Sequence, residues 1–276
     1  MAERTAMMRA AHQLLDDEPK LFRDPLALPV LGAAGRRWLD ENIGIYATEP
    51  MRRARTMTVI RARFAEEELD RAIATGVRQY VILGAGLDTF AYRRAAVAAD
   101  LTVFEVDQPA TQRWKLERLA EAGVAVPPDV QFVPLDFNEQ SLAAGLARAG
   151  FQRDAPAFFS WLGVSYYLPR DSVLETLAFI AGQVARSQVV FDFAVEYSAL
   201  SPYFQDKMSQ VVAQTGRDGE VWQTRFAPQD LAVELRRLGF SGTFHLTMEM
   251  AEKRYLHGRR DGLLIGAIVQ IMSAWT

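Results

Sequence analysis

A short apolar run, Tyr80 to Leu83, leads into Gly84-Ala85-Gly86 and then into a helix expected from about Asp88. Glycine at 84 and 86 permits backbone conformations closed to other residues and removes the side chains that would block a bound nucleoside or amino-acid moiety. A strand-to-helix turn without a ligand would read the same way. Twenty-one residues beyond Gly86, a second apolar run ends in Glu105-Val106-Asp107. That places a carboxylate where nucleotide-binding sheets offer one to ribose hydroxyls. Glu105 and Asp107 share one face of a strand. Asp107, at the carboxyl end, is the candidate ligand, and a buried Glu105 needs an ion-pair partner. A third run ends in Leu135-Asp136-Phe137, where Asp136 suits an adenine amino group and Phe137 a purine face. Asp136 would also serve as an N-cap. The third glycine of a dinucleotide fingerprint is replaced by Thr89, which counts against a nicotinamide cofactor.

These residues need a scaffold, and the pattern around them supplies one. From Tyr80 onward, short runs apolar on both faces alternate with helical stretches, the signature of a mostly parallel sheet covered by helices. Strands are expected at 80–84, 101–107, 130–135, 156–162, 188–194, 243–249 and 263–269. Helices are expected at 88–96, 109–122, 138–149, 170–185 and 228–238. Before the sheet, helices are expected over 3–16 and 51–75, with Pro25 and Pro29 interrupting the segment between them. The first 76 residues read as an N-terminal helical cap on a Rossmann-like core of residues 77–276. Residues 197–227, too long for a plain connection and dotted with Tyr203, Phe204, Met208 and Trp222, read as a lid.

Half of the 276 residues are hydrophobic, 24% are charged and the formal net charge is −3, so an ordinary packed fold is expected. No basic block marks a nucleic-acid partner. The absence of cysteine excludes disulfides, thiolate nucleophiles and sulfur-ligated metals. The three histidines lack metal-ligand spacing, so no metal is expected. The N-terminus lacks the apolar stretch of a signal peptide and no run is long enough to span a bilayer, so a cytoplasmic location is the default expectation.

ERTAMMRAAH, FRDPLA, RARTMTVIRARF, ILGAGLDTFAYR, VFEVDQP, LDF and FFSWLGVSYYLP together resemble the leucine carboxyl methyltransferase group, in its bacterial branch that includes polyketide O-methyltransferases. The resemblance covers nearly the whole chain and is most specific in VILGAGLDT followed by FEVDQP. It implies S-adenosyl-L-methionine as cofactor, a class I methyltransferase-type fold of α/β class, and a seven-stranded sheet whose last strand is antiparallel. It also implies residue roles. Arg55 would pair with the cofactor's carboxylate, with Arg9 as a second cap residue nearby. Asp107 would bind the ribose, and Asp136 with Phe137 the adenine. Gly84, Ala85, Gly86 and Ser160 would border the cofactor. The chain departs from the pattern at Leu162, where carboxyl methyltransferases of this group carry an acid, and that puts leucine-carboxylate chemistry in doubt.

Methyl transfer from a sulfonium is an in-line displacement that needs alignment and exclusion of water more than a dedicated base. His245 and Tyr167 are conceivable bases, though neither is assigned. Trp161 and Tyr166, with the aromatic residues of 197–227, suggest an apolar or aromatic small acceptor, and the resemblance implies one that is polyketide-like and methylated on a hydroxyl or carboxyl oxygen. The alternatives are an NAD(P)-dependent oxidoreductase, disfavoured by Thr89, and a protein that binds the nucleoside cofactor without catalysis.

Overall fold

The computed structural model describes residues 2–136, 141–217 and 219–276. Helices α1 (Ala2–Leu15), α2 (Gly32–Tyr46) and α3 (Glu49–Ala74) precede β1 (Gln79–Leu83). The chain continues through α4 (Phe90–Arg93), α5 (Ala95–Ala98), β2 (Thr102–Asp107), α6 (Pro109–Glu121), β3 (Val130–Pro134), α7 (Leu142–Arg148) and β4 (Ala157–Trp161). It ends with α8 (Arg170–Ala181), β5 (Gln188–Ala194), α9 (Pro202–Arg217), α10 (Pro228–Leu238), β6 (Gly242–Leu246), α11 (Met248–Ala251) and β7 (Val269–Trp275). The strands form one seven-stranded sheet in the order β3-β2-β1-β4-β5-β7-β6. β1 to β5 pair in parallel, and β7 lies antiparallel to both β5 and β6.

Strand alternation divides the core into two layers. Val81, Leu83, Phe159, Trp161 and Phe191 point to one face, beneath α8 and α10. Tyr80, Ile82, Phe158 and Val190 point to the other, where Ile60, Phe64 and Leu69 of α3 meet them. Fully burying side chains of this size contributes roughly 1.5–3 kcal/mol each, so α3 is held as a layer of the sheet's own core. α1 packs against α3 through a smaller cluster that includes Met7, Ala11 and Leu39. Helix ends follow local chemistry. Proline opens α6 and α10 in the first turn, where its missing donor costs nothing, and Gly239 closes α10 at φ 113°.

Several elements depart from the sequence-based expectation. The last strand is Val269–Trp275, not 263–269. Leu263 and Ile265 are buried against the α3 side of the core, but the carbonyls of Gly262 and Ile265 accept from Arg52 and Arg53 of α3 rather than from a neighbouring strand. An apolar run there signals burial without ladder pairing. β6 stops at Leu246 because the Thr247 hydroxyl caps the short α11, accepting from the Met250 amide at 3.2 Å. The helix expected over 88–96 is two short helices divided at Arg94. α2 was not anticipated, since glycines at 32, 35 and 44 mask a buried stripe of Gly35, Leu39 and Tyr46. The start of the helix expected at 138–149 falls partly outside the described residues, and α7 covers Leu142–Arg148. The 197–227 segment contains α9 and an extended run that ends where Phe226 bridges Val195.

Candidate active site

A cavity of about 820 Å³ opens at the carboxyl ends of β1, β2 and β4, where strand order reverses between β1 and β4. Ligands of open α/β sheets bind at this position. Gly84 (φ 69°) and Gly86 (φ 47°) shape its floor, and Ala85 lies between them. A Cβ on Gly84 would meet Val164 Cγ2 at 2.3 Å, so this close approach admits only glycine. The amides of Gly84 and Ala85 donate to the Val106 carbonyl at 2.8 and 3.0 Å, tying the loop to β2. Ser160 of β4 also lines the cavity, and its hydroxyl pairs with the Tyr80 hydroxyl at 2.8 Å.

Asp107 ends β2 with its carboxylate on the cavity wall. The Gly86 amide donates to its Oδ2 at 2.6 Å and the Gln108 amide to its Oδ1 at 2.7 Å. Each oxygen keeps a lone pair for a further donor. Asp136 lines the same cavity beyond β3, whereas Phe137 lies outside the described residues. Glu105, on the same face as Asp107 but one turn of the pleat deeper, is buried against Lys115 at 2.6 Å and accepts from the Tyr92 hydroxyl at 3.1 Å. It is a structural ion pair.

Arg55 does not stand where the resemblance put it. Its Nε and one terminal nitrogen donate to the two Asp16 oxygens at 2.9 and 2.6 Å, another reaches the Tyr46 carbonyl, and the side chain is absent from the cavity wall. His12 Nδ1 closes the cluster at 2.5 Å from Asp16, while its Nε2 accepts the Phe22 amide. The cluster ties α1, α2 and α3 together. Burial works to raise the Asp16 pKa, but the hydrogen bonds from His12 and Arg55 more than offset it and leave it below the ordinary 3.8. A carboxyl depressed on folding contributes stability above its unfolded pKa and loses it as pH falls through the folded one. Thermal melts of the wild type and Asp16→Asn should therefore differ most near pH 7 and converge as pH drops below 3.8. A constant gap down to acid pH would refute this.

The cavity's guanidinium groups are Arg9 of α1 and Arg61 of α3. Six residues separate Arg61 from Arg55, which places the two about 120° apart around the helix, one toward α1 and the other toward the sheet. Arg61 donates to Asp192 Oδ2 at 2.7 Å, and the Gly163 amide donates to Asp192 Oδ1 at 2.6 Å. Burial opposes the charge on Arg61, but Asp192 and then Tyr166 outweigh it and hold the guanidinium protonated. A Cβ on Gly163 (φ 78°) would meet this guanidinium at 2.6 Å. Leu162 lines the cavity, and a buried acid stands one strand over at Asp192, where it holds Arg61 and the Gly163 amide. Arg61 and Asp192 escaped the sequence reading, although an aspartate inside the apolar run of β5 signals a buried cationic partner. Thr5, Asp88, Glu220 and Gln223 also line the cavity and were not singled out.

A second cavity of about 330 Å³ shares Thr5, Thr58, Arg61 and Tyr167 with the first. Its wall is largely apolar, including Met8, Met57, Tyr166, Phe204, Val211 and Trp222. The described part of the 197–227 segment contributes wall residues to both cavities, Gly219, Glu220, Val221 and Gln223 to the first and Phe204, Lys207 and Trp222 among others to the second. It is pinned by the Gln223 amide donating to the Tyr166 carbonyl at 2.7 Å and the Thr224 hydroxyl donating to the Leu168 carbonyl at 2.6 Å. Burial pushes the Tyr167 phenol up to about 12, so it is a proton donor at neutral pH and not a base. His245 lines neither cavity: it pairs with Gln270 at 2.6 Å, and burial lowers its pKa. Trp161 is fully buried in the core beside Phe191.

The strand order, the glycine loop after β1 and the acid ending β2 define a class I methyltransferase architecture. A methyltransferase structure from Thermobifida fusca, described as "putative", superposes with a TM-score of 0.63 at 16% identity, over 100% of this chain and 94% of that one. Human N-acetylserotonin methyltransferase in complex with S-adenosylmethionine superposes with a TM-score of 0.50 at 13% identity, over 84% and 57%. In sequence, the "Putative S-adenosyl-L-methionine-dependent methyltransferase YktD" of Bacillus subtilis is 34% identical over 204 residues, 74% of this chain and 67% of that protein. A "Putative S-adenosyl-L-methionine-dependent methyltransferase" of Mycobacterium tuberculosis is 35% identical over 181 residues, 62% of this chain and 56% of that protein. Residues 2–181 match the leucine carboxyl methyltransferase family, and the chain belongs to it. It is an S-adenosylmethionine-dependent methyltransferase. Among the described residues, no helix is long and apolar enough to cross a membrane.

Proposed function

We propose that the chain methylates an oxygen of a small apolar acceptor, aromatic or polyketide-like, and that this oxygen enters already ionised, as a carboxylate or an acidic hydroxyl. The observation that carries this reading is the second cavity. It is largely apolar, adjoins the cofactor cavity at Arg61 and Tyr167, and has no Asp, Glu or His on its described wall. A neutral alcohol would need a base there, whereas a carboxylate needs none at neutral pH. At the same wall Lys207 adds a cation that favours an anionic acceptor, while Arg4 and Arg53 are paired with Glu220 and Glu49.

The residues of the larger cavity fit the cofactor. The cradle at Gly84 would be filled by a Cβ, Asp107 keeps acceptor capacity toward the cavity, and Arg9 Nε is buried without a hydrogen bond. In this reading Asp107 accepts from the ribose hydroxyls and Asp136 from the adenine amino group. Arg9 and Arg61 face the methionine carboxylate, and Ser160 borders the site. When bound, the cofactor supplies an electrophilic methyl carbon on a positively charged sulfur. Tyr167, at the junction of the cavities, orients the acceptor oxygen by donating to it. The 219–223 stretch and the start of α1 exclude water.

The test is transfer of labelled methyl from S-adenosylmethionine to a panel of aromatic and long-chain carboxylic acids, phenols and alcohols. Alkali-labile methyl esters, or ethers from the most acidic phenols alone, are expected. Methylation of unactivated alcohols at comparable rates would overturn the base-free reading.

A further inference from the structure

Asp24, in the FRDPLA stretch, is 1% exposed and joins three segments. The Thr89 hydroxyl donates to its Oδ2 at 2.7 Å and the Leu26 amide to its Oδ1 at 3.1 Å. Gln13 of α1 accepts the Asp24 amide at 3.2 Å. Arg9 Nε lies 3.8 Å from the same Oδ2, and another nitrogen of Arg9 lies 3.8 Å from Asp88 on the opposite side. The remaining nitrogen donates to the Leu87 carbonyl, directly after the glycine loop.

Arg9 is thus held between two carboxylates at ion-pair distance. Neither takes a hydrogen bond from it, and its buried Nε has no hydrogen-bond partner. Such an arrangement aims a guanidinium by charge while leaving donors available to a ligand. Thr89 takes the place of the third fingerprint glycine, and its hydroxyl is what links the start of α4 to Asp24.

We propose that Asp24 is a positioning residue for the amino-acid end of the cofactor: it aims Arg9 at the methionine carboxylate and, through Thr89, fixes the segment that follows the glycine loop. This rests on Arg9 facing that carboxylate. Charge alone would act with the opposite sign, because removing a carboxylate near an anionic ligand group strengthens the ligand's binding.

Calorimetric titration of Asp24→Asn, Thr89→Val, Arg9→Ala and the Asp24→Asn/Arg9→Ala double variant separates these cases. The ligands are S-adenosylhomocysteine and 5′-methylthioadenosine, which lacks the amino-acid part. Asp24→Asn and Arg9→Ala should each weaken S-adenosylhomocysteine by about 10-fold or more, as expected for a misplaced charge-assisted contact, and leave methylthioadenosine within about 2-fold. Thr89→Val should give a smaller loss with the same selectivity, and it carries the test alone if Asp24→Asn does not fold. The double variant should be no weaker than Arg9→Ala. Equal weakening of both ligands, tighter binding, or additive losses in the double variant would each overturn the positioning role. Unchanged affinity in Arg9→Ala would instead remove Arg9 from the cofactor site, and the proposal with it.

Discussion

Asp107→Ala should weaken S-adenosylmethionine binding by about 100-fold or more while the protein stays folded. Both carboxylate oxygens are fixed by one backbone amide each, from Gly86 and Gln108, which leaves their other lone pairs toward the cavity. In the proposed site, two ribose hydroxyls donating there would form charge-assisted hydrogen bonds of about 1.5–3 kcal/mol each, and a loss of roughly 3 kcal/mol already exceeds 100-fold. The variant also frees the Gly86 amide, whose bond to Asp107 holds the loop against β2. Asp107→Asn should fare little better, because one of its two acceptors becomes an NH2 group facing a backbone N–H. Calorimetric titration with S-adenosylmethionine, S-adenosylhomocysteine and NADH checks this. The wild type should bind the first two and not the third. Unchanged affinity in Asp107→Ala would take the ribose site away from β2.

The largest effect on stability is expected at Asp192. Its carboxylate is fully buried between Arg61 and the Gly163 amide, so Asp192→Ala leaves a buried guanidinium and a backbone donor without their partner. Breaking such a pair from one side costs about 3–5 kcal/mol. For a chain of this size that corresponds to a fall in Tm of roughly 10 °C. The paired replacement Asp192→Leu with Arg61→Met should recover much of the loss, since it removes both charges together. It should not recover cofactor binding if Arg61 faces the methionine carboxylate. Thermal and urea denaturation of the wild type and the two variants read out the first two expectations, and a Tm for Asp192→Ala within about 2 °C of wild type would sink the argument.

The parallel part of the sheet was legible in the residues because buried parallel strands must be apolar on both faces, and runs such as Tyr80 to Leu83 have no other ready explanation. The glycine loop and Asp107 were legible for a related reason. A positive-φ turn needs glycine locally, and the position of an acid at a strand end follows from counting along that strand. The last strand was misplaced because apolarity reports burial but not pairing, and Leu263 and Ile265 are buried without joining the ladder.

The arginines mark the boundary between what the sequence by itself determined and what only the tertiary structure decided. Sequence determined the sheet, its switch point and the acid that faces it, since each rests on contacts within one strand or turn. It could not choose among the arginines of RARTMTVIRARF. Arg55 and Arg61 sit on one helix, and which of them meets the cavity depends on the helix's rotation against the sheet, set by Ile60, Phe64 and Leu69 packing on residues from other strands. That rotation gives Arg55 to Asp16 and Arg61 to Asp192. Ion pairs spanning 39 and 131 residues of chain leave no local pattern, because charge attracts through space and the distance that matters exists only once the layers have packed.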